Sequence, residues 1–348
     1  LKAHTGLTTP DVVGVHHLLH ELRQHQFDTV CIEASSIGLE QRRLACVSID
    51  VALFTNLSQD HLDYHGDMAA YGRSKMILAS WPTLRLAVVN GDDSFGMEFL
   101  ANVQRRNIDC SAVGRADSAE CQILSVAHQE NGQRIELKIN GASTQIDTSI
   151  IGEFNADNMA LVFATLIRLG YEVSEVKSAL AGVTPAPGRM QLIEGEPAVV
   201  VDYAHTPDAL EKTLLALRPF ANKRQGKLWV VFGCGGDRDR SKRPLMGAAA
   251  ADKADFVVVT SDNPRSEKPE NILQEIVDGI DKARQDKLHV EVDRVRAIEF
   301  AVAKASAKDV VLLAGKGHES TQTIGAQVIA HSDVQCAMSA LGKRGAHA

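Results

Sequence analysis

Short apolar runs alternate with amphipathic segments along most of the chain. Near-continuous apolar runs are typical of parallel strands that are buried on both faces of a sheet. Eight such runs occur, at residues 27–33, 50–56, 84–90, 197–204, 227–234, 255–262, 288–293 and 309–315. Helical periodicity fills intervals between them, for example in residues 154–171 and 208–220. The alternation predicts an α/β fold with mainly parallel sheets.

Two segments interrupt this alternation. Residues 120–150 alternate polar and apolar positions around Asn131-Gly132 and Asn140-Gly141, dipeptides that favour tight hairpin turns, so we expect a small antiparallel element there. Residues 184–190 (TPAPGRM) contain two prolines and a glycine and are the best candidate for a linker. We therefore predict one domain over residues 1–186 and a second over residues 187–348.

Composition narrows the class of protein. The 348 residues are 45% hydrophobic and 23% charged, which is ordinary for a soluble globular protein of two or three domains. The net charge of −7 argues against a nucleic acid as partner, and no apolar run is long enough to span a bilayer. There is no secretion signal, and the six cysteines lack CxxC spacing, so we expect reduced thiols in a cytoplasmic monomer.

Four apolar runs of the second half lead straight into polar clusters: VVVDYAHTPD, WVVFGCGGDRDR, VVVTSDNPRSE and VVLLAGKGHE. In open parallel sheets, ligands bind beyond the carboxyl ends of the strands, so these clusters should converge. Turn formation explains their glycines and prolines. It does not explain the charge concentrated in Arg238, Arg240, Arg265, Lys316, His318 and Glu319. Arginines suit a carboxylate or phosphate and a glutamate suits an ammonium group, so we predict a site for a zwitterion such as an amino acid.

A second polar cluster lies in the first half. CIEASS places Glu33 after a predicted strand, and TNLSQDHLDYHGD supplies His61 and His65, four residues apart. That spacing suits zinc, but neither an HExxH pattern nor an obvious third ligand accompanies it. Magnesium held by Glu33, one histidine and phosphate fits the oxygen-rich surroundings better. The pattern alone gives no role to Lys75 or Asn155, because lysines are usually solvated and asparagine is a common helix cap.

The ordered series of motifs resembles the Mur ligases. EASS, TNLSQDHLDYHGD, FNADN, GRM, VDYAHTPDAL, FGCGGDRDRSKRPLMG, DNPR and AGKGHE follow one another over essentially the whole chain. The resemblance implies a P-loop-type central (ATPase) domain followed by a Rossmann-like C-terminal domain that binds an amino acid. It also implies a reaction of peptidoglycan precursor synthesis. ATP phosphorylates the D-glutamate γ-carboxylate of a UDP-muramoyl dipeptide, the amine of meso-diaminopimelate attacks the acyl phosphate, and Mg²⁺ offsets the phosphate charge.

The resemblance further implies roles for particular residues. Metal ligands would be Glu33, His61 and Lys75, where Lys75 resembles a lysine that becomes carbamylated. Catalytic roles are implied for Lys75, His61 and Arg189, and nucleotide contacts for Asn155, Asp202 and His205 as well as Arg189. Contacts to the UDP-muramoyl dipeptide are implied for Thr8, Thr9, Ser35, Gln41 and Arg43. The diaminopimelate pocket would comprise Arg238, Asp262, Asn263, Pro264, Arg265, Gly315 and Glu319. Arg265 would favour diaminopimelate over lysine, which has no second carboxylate.

The chain departs from the family pattern in two places. Ile37 stands where the family often has histidine, and the GxxGKT[ST] phosphate loop is absent. Because the first residue is Leu1 and not Met, we expect a partial chain without the uridine-nucleotide domain and the P-loop, with little or no ATP-dependent activity. Other hypotheses are a lysine-adding or folylpolyglutamate-type sister ligase and a non-catalytic amino-acid-binding module. A dinucleotide-dependent oxidoreductase is disfavoured because no GxGxxG fingerprint is present.

Overall fold

The computed structural model describes residues 7–58, 60–129 and 132–345, apart from the side chain of Asp63. Residues 1–6, which include Leu1, and Asn131 of the first hairpin dipeptide lie outside the described residues. The chain forms two compact units. The first comprises the described residues up to Leu124 with 136–144 and 157–176, and the second comprises 125–135, 145–156 and the residues from Lys177 onwards. The domain boundary between residues 186 and 187 stays a prediction.

The described part of the chain alternates helices with strands. Its α-helices are α1 (Val12–Gln24), α2 (Ser36–Glu40), α3 (Leu62–His65), α4 (Met68–Met76), α5 (Ser94–Arg105), α6 (Glu153–Arg168), α7 (Val173–Ala181), α8 (Pro207–Lys223), α9 (Lys242–Lys253), α10 (Pro269–Val277), α11 (Arg294–Lys304) and α12 (Asp333–Gly345). Two short 3-10 helices cover Ile77–Ser80 and Lys282–Lys287. Of the helices described, none combines the length and the apolar character needed to cross a bilayer.

Within the described ranges, the strands form two six-stranded sheets and one small hairpin. They are β1 (Val51–Phe54), β2 (Leu86–Asn90), β3 (Asp109–Gly114), β4 (Cys121–Gln129), β5 (Gly132–Ile139), β6 (Ala142–Thr148), β7 (Gln191–Ile193), β8 (Ala198–Asp202), β9 (Leu228–Phe232), β10 (Phe256–Val259), β11 (Leu288–Val290), β12 (Val310–Ala314), β13 (Thr321–Ile324) and β14 (Gln327–Ala330).

The first sheet has the strand order β1-β2-β3-β4-β5-β6. Strands β1, β2 and β3 are parallel, with Val51 opposite Leu86 and Leu86 opposite Asp109. Helix α5 packs on them because its apolar face, which includes Phe99, is fully buried in their core. The turn between β5 and β6 has positive φ at both Asn140 and Gly141, which confirms the hairpin turn that this dipeptide predicts.

The second sheet has the order β11-β10-β9-β12-β8-β7. All neighbours are parallel except β7, which lies antiparallel at the edge beside β8, so the predicted mainly parallel sheet is confirmed. Helices α8, α9 and α10 bury their apolar faces on one side of this sheet, and α11 and α12 bury theirs on the other. The layers are those of a doubly wound fold, in which the carboxyl ends of β10, β9, β12 and β8 are neighbours.

The strand predicted for residues 27–33 is wrong. This segment has no regular secondary structure, and Phe27, Val30 and Ile32 are exposed. A β-strand is stable only when a neighbouring strand satisfies its backbone groups. Among the described residues, β1 pairs only with β2 and no strand pairs with 27–33. The apolar composition gives this segment strand propensity, but the segment lacks the neighbouring strand that a β-strand requires.

Candidate functional site

The four polar clusters of the second unit converge as predicted. They follow β8, β9, β10 and β12, which are adjacent strands of one parallel sheet. Thr206 caps α8 by accepting a hydrogen bond from the N–H of Ala209 (3.3 Å), and Pro207 occupies the first helical turn. The helix therefore begins just after the carboxyl end of β8, and its first turn lies near the other clusters.

Two arginine-bearing turns meet beyond β9 and β10. Gly236 donates its N–H to the carbonyl of Asn263 (2.9 Å), and Nη1 of Arg265 donates to the carbonyl of Gly236 (2.7 Å). A Cβ atom added to Gly235 would lie 2.9 Å from Nη1 of Arg265 and 3.7 Å from Cγ of Arg238. The two arginines therefore flank one glycine, with Arg238 exposed and Arg265 half-buried.

A buried lysine orients Glu319. Oε2 of Glu319 accepts hydrogen bonds from Nζ of the buried Lys316 (2.8 Å) and from Nδ2 of Asn263 (2.9 Å). Burial raises the pKa of Glu319, but these hydrogen bonds and the charges of Lys316 and Arg265 hold the pKa below its ordinary value. Oε1 of Glu319 accepts no hydrogen bond from the described residues, so it can receive an ammonium group from a ligand.

Three further residues of the predicted amino-acid pocket lie in the same turns. The Asp262 carbonyl accepts a hydrogen bond from Nε2 of Gln322 (2.7 Å), which fixes the start of the turn that contains Pro264. A Cβ atom added to Gly315 would lie 2.7 Å from Oδ2 of Asp262, so the carboxylate lies against the glycine. Close approach of the two turns therefore requires glycine at this position.

A cluster of aromatic and cationic side chains lies beside these turns. The guanidinium carbon of Arg189 is 4.7 Å from the centre of the Tyr203 ring. The rings of His205 and His318 lie 4.8 and 5.8 Å from the same ring. In the described part of the chain the Arg189 guanidinium makes no hydrogen bond, so its donors can bind an anion.

Asp202 and Asn155, two of the residues predicted to contact the nucleotide, hydrogen-bond to the backbone. The oxygens of Asp202 accept hydrogen bonds from the N–H groups of Met190 and Ala204, both at 2.8 Å. Nδ2 of Asn155 donates to the carbonyl of Ile151 (2.8 Å) in the first turn of α6. Asp202 therefore positions the segment around Arg189.

The predicted metal ligands lie in the first unit, where Lys75 and His61 both lie beside the ring of Tyr71. Burial lowers the pKa of Lys75, and the negative charges of Glu33 and Asp60 act on this pKa in the opposite direction. Nζ of Lys75 is 5.1 Å from the centre of the Tyr71 ring. His61 lies at the edge of the same ring (6.3 Å between centroids). No group of three or more His, Cys, Asp or Glu side chains among the described residues could hold a metal on its own.

The zinc hypothesis for His61 and His65 gains no support from the geometry. Nδ1 of His65 lies 3.1 Å from a carboxylate oxygen of Glu40, and Nε2 lies 2.9 Å from the hydroxyl of Ser36. Both ring nitrogens are therefore occupied within the protein. Asp63, part of the same motif, has its side chain outside the described residues.

The residues predicted to bind the UDP-muramoyl dipeptide form one network, apart from the exposed Thr8. Nη1 of Arg43 donates to the carbonyl of Thr9 (2.8 Å), and its Nε and Nη2 donate to Oε1 of Gln41 (3.0 and 2.6 Å). The Thr9 and Ser35 hydroxyls lie 3.0 Å apart. Ser35 also caps α2.

Arg243 is the residue that the sequence analysis missed. It is fully buried on α9 and pairs with Glu267 (2.7 Å) and Glu275 (2.8 Å). The signal was its position in the helical period of α9, where it lies on the same face as the buried Met246 and Ala250. An arginine on the apolar face of a helix predicts a buried ion pair.

Comparisons with known proteins agree along nearly the whole chain. The family model "Mur ligase middle domain" matches residues 2–166, and "Mur ligase, glutamate ligase domain" matches residues 188–317. A UDP-N-acetylmuramoyl-L-alanyl-D-glutamate–2,6-diaminopimelate ligase of Acidovorax sp. (strain JS42) is 45% identical over 344 residues, 98% of this chain and 68% of that protein. A relative of the same name from Coxiella burnetii is 41% identical over 343 residues, 97% of this chain and 69% of that protein.

Solved structures show the same likeness. A structure of UDP-N-acetylmuramoyl-L-alanyl-D-glutamate–2,6-diaminopimelate ligase matches with a TM-score of 0.72 and 36% identity, over 96% of this chain and 69% of that one. The folylpolyglutamate synthase of Mycobacterium tuberculosis, complexed with ADP and AMPPCP, matches with a TM-score of 0.60 and 25% identity, over 78% of this chain and 62% of that one.

Proposed function

This chain belongs to the Mur ligase family, and we propose that it serves the ATP-dependent addition of meso-2,6-diaminopimelate to UDP-N-acetylmuramoyl-L-alanyl-D-glutamate. The observation that carries the proposal is the pocket beyond β9, β10 and β12. There Arg238 and Arg265 flank one glycine, and the charge of Arg265 acts on the carboxylate of Glu319.

This pocket has the charges that one end of meso-diaminopimelate requires. The carboxylate at the end remote from the reacting amine would accept hydrogen bonds from Arg265 and Arg238, and the ammonium on the same carbon would donate to Oε1 of Glu319. Lysine carries the ammonium but no carboxylate at that end. A lysine in the pocket would leave a half-buried guanidinium without its partner, which penalises lysine binding.

The reaction turns a poor electrophile into a good one. Phosphorylation of the D-glutamate γ-carboxylate by ATP releases ADP and gives an acyl phosphate. Attack by the amine of meso-diaminopimelate then forms the amide, and phosphate and a proton leave. Arg189 would contribute cationic donors to nucleotide phosphates, since its guanidinium has no hydrogen-bond partner among the described residues. The folylpolyglutamate synthase complexes with ADP and AMPPCP support a nucleotide in this family.

Magnesium fits the Glu33 and Lys75 region when phosphate is present. Mg²⁺ typically takes one or two carboxylates from the protein and completes its shell with phosphate and water, so the lack of a larger ligand cluster among the described residues is compatible with it. Glu33 and His61 would hold the ion, which would offset phosphate charge. The lowered pKa of Lys75 enlarges the neutral-amine fraction that carbamylation by carbon dioxide requires.

We further propose that the protein works as a monomer in the cytoplasm. The six cysteines are all free thiols in the described structure, which fits a reducing compartment.

The proposed specificity is tested by titrating the chain with meso-diaminopimelate and with L-lysine in parallel calorimetric experiments. We expect meso-diaminopimelate to bind at least about tenfold more tightly, because only this ligand pairs with the arginines. Equal affinities, or tighter binding of lysine, would refute the proposal and favour a lysine-adding ligase.

A further inference from the structure

The guanidinium of Arg243 contacts both turns that carry the pocket arginines. Nη2 donates to the carbonyl of Gly235 (3.3 Å), in the turn that leads to Arg238. Nη2 and Nη1 also donate to the two carboxylate oxygens of Glu267 (2.7 and 2.9 Å), two residues after Arg265. One side chain therefore links the two turns directly.

Glu267 and Asp237 extend this link. Oε1 of Glu267 accepts a hydrogen bond from the N–H of Asp237 (2.7 Å). The Asp237 carboxylate in turn accepts the hydroxyl (2.6 Å) and the N–H (3.2 Å) of Ser266. Each turn is thus held by groups of the other, and Arg243 lies at the buried end of the network.

A second carboxylate holds the Arg243 guanidinium from the side. Nη1 donates to Glu275 of α10 (2.8 Å), so the guanidinium is held by a neighbouring helix as well as by the turns. The Arg243 side chain has no exposed surface, and its Nε has no hydrogen-bond partner among the described residues. It therefore cannot touch a ligand in the pocket, and any effect on binding must act through Arg238 and Arg265.

We propose that Arg243 is a positioning residue, which sets the separation of the Arg238 and Arg265 guanidinium groups and thereby the preference for an amino acid with a second carboxylate. The inference rests on the proposed function, because it explains how that pocket obtains its selectivity. Two guanidinium groups can share one carboxylate only when their turns are held at the right separation. Bidentate pairing of Arg243 with Glu267 supplies that restraint, and a lysine cannot reproduce it.

The test uses Arg243→Lys, which keeps the positive charge and removes the forked contacts. Its matched control is Arg218→Lys, because Arg218 also pairs with a carboxylate (Asp255) and a backbone carbonyl, but at the amino end of β10. Affinities for meso-diaminopimelate and L-lysine are measured by calorimetry for both variants and the unaltered chain. In Arg243→Lys we expect the ratio of the two affinities to fall about tenfold, because small misplacements of binding groups are costly. Affinity for lysine should change less than about twofold, and Arg218→Lys should keep the ratio.

A second variant keeps the inference testable if Arg243→Lys fails to fold, as judged by circular dichroism. Glu267→Gln retains the shape and the acceptor for Asp237 but weakens the pairing, and we expect the same direction of change in the affinity ratio. The inference is overturned if folded Arg243→Lys has an unaltered ratio of the two affinities. If Arg243→Lys does not fold, an unaltered ratio in folded Glu267→Gln overturns it. If the unaltered chain itself does not prefer meso-diaminopimelate to lysine, the proposed function fails, and the positioning role of Arg243 fails with it.

Discussion

Arg265→Met is the sharpest perturbation of the pocket. Methionine preserves much of the unbranched side-chain length and removes the guanidinium. The backbone of Arg265 has φ 52°, and its N–H donates to the carbonyl of Thr323 (3.0 Å). Methionine is no more strained in this left-handed conformation than arginine is, so the turn should persist.

The structure sets the size of the expected effect. Nη1 of Arg265 already donates to Gly236, which leaves Nη2 and Nε as a forked pair for a carboxylate. Two charge-assisted hydrogen bonds at about 1.5 kcal/mol each amount to about 3 kcal/mol, or about two orders of magnitude in the dissociation constant. Loss of the internal bond to Gly236 should cost about 1 kcal/mol of folding stability.

Calorimetric titration measures this effect. We expect affinity for meso-diaminopimelate to fall about 100-fold and affinity for L-lysine to stay within about threefold. The control is Arg296→Ala, which removes an exposed arginine on α11 whose ion pair with Asp293 is long at 3.9 Å. An Arg265→Met variant that binds meso-diaminopimelate as tightly as the unaltered chain would refute the assignment of the carboxylate to Arg265.

Other perturbations have equally definite outcomes. Gly236→Ala should unfold at a lower temperature and lose meso-diaminopimelate binding, because a Cβ there would lie 1.9 Å from a backbone carbonyl oxygen. Gly342→Ala is its control, since no described residue lies within 4 Å of that Cβ, and thermal melting should show unchanged or slightly raised stability. Hydrogen bonds from an arginine and from a backbone N–H lower the pKa of Glu267 from 4.5 to about 2. Its stabilising contribution is therefore full above pH 4.5 and is lost as the pH falls towards 2, so urea unfolding of Glu267→Gln should depend less on pH in that window than unfolding of the unaltered chain. Arg294→Met should lower the urea-unfolding free energy by about 3 kcal/mol, because it removes the arginine that pairs with the buried carboxylate of Asp333 and leaves only His331 beside it; a loss below about 1 kcal/mol would contradict this.

Local sequence signals predicted the strands that have neighbours. The five runs of the second half all became parallel strands of one sheet, because each apolar run pairs with at least one neighbouring strand. Residues 27–33 have the same composition and stay irregular, since no described strand pairs with them. Strand propensity is readable from the chain, whereas pairing is a tertiary property.

The charge pattern of the sequence predicted where the candidate site lies, but not which residues face a ligand and which residues orient them. Arg238, Arg265 and Glu319 come together because parallel strands place their following turns at one edge. The sequence could not show that Asn263 orients Glu319, since that depends on the rotamers of three side chains. The role of Arg243 likewise depends on contacts with residues more than twenty positions away.

A crystal structure of the chain with meso-diaminopimelate tests the central claim most directly. The account predicts that the carboxylate at one end lies about 3 Å from the guanidinium groups of Arg238 and Arg265, with the ammonium beside it on Oε1 of Glu319. A ligand bound with that carboxylate away from both arginines, or bound outside the edge formed by β8, β9, β10 and β12, would contradict it.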